Sequence, residues 1–96
     1  MNNYRKDPEA NNLVAAYEEQ FRSGEAAFFE EKAYLKIIEF YERDNQLDKA
    51  LEVADNAIAH HNFTADFYNR KAELLIGLGK EEDALRVLEL ARLYAP

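Results

Sequence analysis

Read against itself, the chain repeats at an offset of 34 residues without a gap. Tyr34 falls on Tyr68, Glu39 on Glu73, Ala50 on Ala84, Leu51 on Leu85, Val53 on Val87 and Ala57 on Ala91. The breaks coincide as well, Asn45 with Gly79 and Asn62 with Pro96. A fixed period of this length means one supersecondary unit used twice, each copy too small to bury its apolar face alone. Alanines at 50, 57, 84 and 91 suit places where two helix axes approach closely, because a larger side chain would hold the rods apart. Aromatic rings at 34 and 68 fill the gaps between neighbouring helices.

Local signals say that the unit is helical. Asp7-Pro8-Glu9 opens a first helix: Asp caps, Pro takes the first helical position, and Glu suits the positive end of the dipole. Leu13, Tyr17 and Phe21 then recur every fourth residue up to a turn at Ser23-Gly24. Residues 25–30 read equally as a helical turn or a packed loop. From Glu31 a second stripe runs through Tyr34, Ile37, Ile38 and Tyr41, and Arg43-Asp44-Asn45-Gln46 breaks it. A third helix, Asp48 to His60, turns Ala50, Leu51, Ala54, Ala57 and Ile58 inward. After Asn62-Phe63-Thr64, with Thr64 as cap, a fourth carries Tyr68, Ala72, Leu75 and Ile76 as far as Gly77 or Gly79. A fifth runs from Glu81 to Tyr94. No segment alternates with period two, so no strand is expected. The expected fold is all-α: about five helices, with antiparallel helix-turn-helix pairs stacked as an α-α superhelix.

Set against known families, a 34-residue helix-turn-helix with these landmarks resembles the tetratricopeptide repeat. Tyr68, Ala72, Leu75, Gly79, Ala84, Leu88, Ala91 and Pro96 stand at that family's signature positions, and Tyr34, Tyr41, Ala50 and Ala57 carry the match in the first copy. The resemblance covers residues 31–96. Two departures are complementary: Ile38 is large where the family has Gly or Ala, and Ala54 is small where it has a bulky residue. Ala72 and Leu88 have the usual sizes, so the reading is that Ile38 and Ala54 exchange volume. Asn62 stands where the family has Pro.

The resemblance implies that the first helix of each pair lines a concave, partner-binding groove. That groove would show Lys32, Leu35, Lys36, Glu39 and Arg43 from one copy and Asp66, Asn69, Arg70, Glu73 and Ile76 from the other. A mixed surface of this kind suits a protein segment, extended or helical, laid along it. Some family members clamp a C-terminal carboxylate with Lys and Asn. The corresponding positions here hold Leu35 and Glu39, with only Arg70 to help, so a receptor for such tails is not expected.

The fifth helix is a second candidate surface. At 100° per residue, Ala84, Val87, Leu88, Leu90, Ala91, Tyr94 and Ala95 span roughly 160°, and Leu85 and Leu93 lie outside even that arc. Val87, Leu90, Leu93 and Tyr94 are the expected self-association face, giving a homodimer, unless a further repeat follows Pro96. A third reading is a regulatory appendage of a longer protein.

Composition removes most other classes. A net charge of −7 would repel phosphates, so neither nucleic acid nor an anionic membrane surface is an expected partner. No apolar run approaches the ~20 residues that span a bilayer, and Met1 to Ala10 holds no signal-peptide core, so the expected location is cytoplasmic. Without cysteine there is no thiolate nucleophile and no cysteine-based zinc site. Adjacent histidines at 60 and 61 diverge by about 100° and do not make a helical metal pair; they suit the negative end of the third helix. Glu18-Glu19, Glu30-Glu31 and Glu81-Glu82-Asp83 diverge likewise, and no phosphate loop or nucleophile elbow occurs. Asn62-Phe63-Thr64 fits the glycosylation triplet, but Thr64 is explained as a cap. Phe28, Phe29, Phe40 and Tyr41 read as core. The expected protein is thus non-catalytic, without metal or cofactor, and divides into 1–7, a helix with its connection over 8–30, and two repeats, 31–64 and 65–96.

Overall fold

The computed structural model describes residues 7–24 and 28–95. Five helices follow one another: α1 (Pro8–Ser23), α2 (Glu31–Arg43), α3 (Leu47–His60), α4 (Ala65–Gly77) and α5 (Glu81–Tyr94). No strand occurs among the described residues. Each helix packs on the next, and three- or four-residue connections make consecutive helices from α2 onward antiparallel.

Caps and turns follow local chemistry. Asp7 Oδ1 accepts from the amides of Glu9 (3.0 Å) and Ala10 (3.4 Å), and Pro8 occupies the first turn, where its missing donor is harmless. Gly24 closes α1 with a left-handed backbone, φ +78°. The turns after α2 and α4 repeat bond for bond at the 34-residue offset. Gln46 N donates to Tyr41 O and Lys80 N to Leu75 O, both at 2.8 Å. Asn45 N donates to Glu42 O and Gly79 N to Ile76 O, both at 3.0 Å. Asn45 (φ 58°) and Gly79 (φ 78°) are both left-handed, the geometry that a helix needs to reverse through this pair of bonds. Thr64 behaves differently from its expected role. It holds the cap position, but its hydroxyl donates to Glu31 Oε2 (3.1 Å) and so ties the start of α4 to α2.

The alanines lie where close packing requires them: Ala50, Ala54 and Ala57 are fully buried, and Ala72, Ala84 and Ala91 nearly so. Two apolar clusters result. The first joins α1, α2 and α3 and includes Phe67 and Leu74 of α4. The second joins Tyr68, Ala72 and Leu75 of α4 to Ala84, Val87 and Ala91 of α5, with Leu51 and Ile58 of α3 against it. Ile38 and Ala54 are both buried in the first cluster, and at the second Ala72 is buried with Leu88 half-buried against it.

Two inward assignments change. Phe21 is 58% exposed although it continues the line through Tyr17; it lies past the cover of α2 and α3 and borders an open groove of about 440 Å³ with Tyr17, Glu18, Arg22, Lys49 and Glu52. Ala10 and Val14 complete the buried seam of α1 instead. Phe28, read as core, is 64% exposed and lies over the rings of His60 and His61. Residues 28–30 are not helical, and Glu30 is extended as α2 begins; 25–27 lie outside the described residues, as do 1–6 and Pro96.

Candidate functional site

Positions 32, 35, 36, 39 and 43 of α2 share one helix face, and 66, 69, 70, 73 and 76 of α4 share the corresponding one. None of the ten residues is buried. Lys32, Arg43, Asp66, Asn69, Glu73 and Ile76 are exposed, and Leu35, Lys36, Glu39 and Arg70 are half-buried. The two faces are joined at Arg70. Its guanidinium lies 3.7 Å from Glu39 and 3.9 Å from Glu42 of α2, and 3.8 Å from Asp66 one turn back on α4. Three carboxylates around one cation leave Arg70 no spare charge for a partner's carboxylate. Thr64–Glu31 and the edge-to-face rings of Tyr34 and Phe67 (6.1 Å) fix the same two helices at their other end.

A third helix borders this surface. Glu9 of α1 receives the Lys36 ammonium and holds its pKa above the ordinary lysine value, chiefly through that hydrogen bond. Asp7 and Ala10 line a hollow of about 150 Å³ with Lys36, Glu39, Phe40 and Arg43. Asp7, Glu9, Phe40 and Glu42 are therefore neighbours of the face that helix periodicity does not supply. Leu35 is less available than expected, because it packs against the first cluster.

No protein-family model, curated protein or solved structure matches the chain. Function rests on its own surfaces.

On α5 the expected apolar face divides. Val87 is only 8% exposed because it faces α4, and Tyr94 is half-buried, with its ring 5.3 Å from that of Tyr68 and 5.4 Å from Phe63. Both belong to the packing of the pair and are corrected from the free face. Leu90 (42% exposed), Leu93 (70%) and Leu85 (64%) are open. Their charged neighbours pair within the helix, Arg86 with Asp83 (2.5 Å) and Arg92 with Glu89 (3.6 Å).

The histidines do structural work beyond the helix end. His60 Nδ1 pairs with the buried Tyr34 hydroxyl at 2.7 Å, and their rings stack. His61 Nε2 lies 2.8 Å from the Phe29 carbonyl, which only accepts, so that nitrogen carries the proton. Together they hold the segment before α2 against the end of α3. Among the described residues no three His, Asp or Glu side chains are grouped to hold a metal ion, and no helix is long and apolar enough to cross a membrane.

Proposed function

We propose that the chain is a tetratricopeptide-like, non-catalytic recognition module that binds a segment of a protein partner along the α2–α4 face. One observation carries this reading: two helix faces at equivalent positions of a 34-residue repeat are both open and are bridged by Arg70 into one surface. Repetition gives such a surface its use, since equivalent helices stacked side by side offer a partner regularly spaced contacts. Ile76 is the exposed apolar contact, and Lys32, Arg43, Asp66 and Glu73 set the charge pattern around it. Rim charges of this kind select a partner and its register more than they add affinity.

Selection of displayed random peptides on the full chain tests the reading. Enriched peptides should lose at least tenfold in affinity for Ile76→Asp and for Glu73→Lys, and keep it for Leu93→Asp on α5, an exposed position away from that face. Failure to enrich, or binding that ignores both groove substitutions, would reject the α2–α4 face.

A further inference from the structure

The α3–α4 interface is an internal template for the open outer side of α5. Leu51 and Ile58 of α3 are half-buried under the second cluster, and between them Asp55 pairs with Lys71 of α4 at 2.7 Å. Thirty-four residues on, the same positions of α5 are Leu85, Arg92 and Glu89. With Leu88, which is half-buried against the second cluster and borders them, they fall within a seam of about 100° on α5. Leu85 is 64% exposed, where its counterpart Leu51 is covered. The acid is kept, Glu89 for Asp55, while an apolar position at the end of the seam has become Arg92.

We propose that this seam docks an amphipathic helix of a partner protein in the place and register that α4 takes on α3. Such a helix presents an aromatic residue, a cation three residues on, a small residue beside it and a leucine one turn later, as Tyr68, Lys71, Ala72 and Leu75 do. Its small residue and leucine lie over Leu85, as Ala72 and Leu75 share a cluster with Leu51, and its cation joins Arg92 at Glu89, where Lys71 meets Asp55. A second copy of this chain does not offer that helix, because its own α4 is already packed on both flanks, with Phe67 and Leu74 in one cluster and Tyr68, Ala72 and Leu75 in the other. The site is separate from the α2–α4 face and stands whether or not that face binds anything.

The probe is a fluorescein-labelled synthetic peptide with the sequence of residues 64–80, titrated with the full chain and read by anisotropy. Saturable binding is expected. Leu85→Asp on the protein should weaken it at least tenfold. Glu89→Lys should weaken it severalfold, and a Lys71→Glu peptide should recover that loss, which a merely sticky surface would not do. Circular dichroism of both variants should match the parent, since both positions are exposed. No binding at millimolar protein overturns the proposal, as does binding indifferent to Leu85→Asp. A dimer of the chain alone that Leu85→Asp dissolves also overturns it, because the seam would then be filled by a second copy.

Discussion

Tyr41 is 2% exposed, and its hydroxyl donates to the Glu18 carboxylate on α1. Burial raises its pKa first, and the neighbouring carboxylate raises it further; Tyr17, Tyr34 and Tyr68 are raised as well, each chiefly by burial. An unfolded tyrosine ionises near pH 10. A raised folded-state value therefore gives stability that is complete below about pH 10 and is lost above it, as the unfolded chain releases a proton that the fold retains. Urea unfolding at pH 8, 10 and 11 should show this decline, and Tyr41→Phe should make it shallower by up to about 1.4 kcal/mol per pH unit. Identical slopes would mean that Tyr41 ionises normally in the fold. The volume exchange in the first cluster belongs to the same scale. Ile38→Ala alone should cost about 2–5 kcal/mol and Ala54→Leu alone about 1–3. Made together, they should cost at least 1 kcal/mol less than the sum, and strict additivity in the cycle would show that the two side chains do not share space.

At the scale of elements, the two repeat turns share their closing bonds and differ at the left-handed position, Asn45 in one and Gly79 in the other. At Gly79 an added Cβ would meet nothing within 4 Å, so Gly79→Ala has only its backbone conformation to lose, about 1 kcal/mol. Asn45→Gly should gain a few tenths of that by the same reasoning. Thermal unfolding of the pair measures both; a neutral Gly79→Ala would refute the equivalence of the turns. These boundaries were legible because each is local chemistry: Asp7 before Pro8, Gly24, and Asn45 in register with Gly79. Coverage was not legible. Phe21 and Tyr17 lie on one line of α1, yet only Tyr17 is buried, because the reach of α2 and α3 decides and no spacing within α1 encodes it. Thr64 has the right residue and backbone for a cap, but Glu31 competes for its hydroxyl from 33 positions away. The candidate face divides in the same way: helix periodicity gives its ten residues, whereas the ion pairs of Arg70 and the place of Glu9 beside Lys36 need the fold.

At the scale of the molecule, α4 is the wall that the two clusters share. Phe67→Ala should cost about 3–5 kcal/mol. The loss should lower one urea transition seen alike by circular dichroism and tyrosine fluorescence, since α4 cannot leave one cluster and stay in the other. Two separated transitions would show that the repeats unfold independently. The shared wall also bears on how the protein is made. A nascent chain that has left the ribosome only as far as His60 has α1, α2 and α3 but lacks the ring that closes over Tyr34. Its apolar interior stays open on one side until the fourth helix is translated, so the unit that can be released safely from synthesis is longer than either repeat.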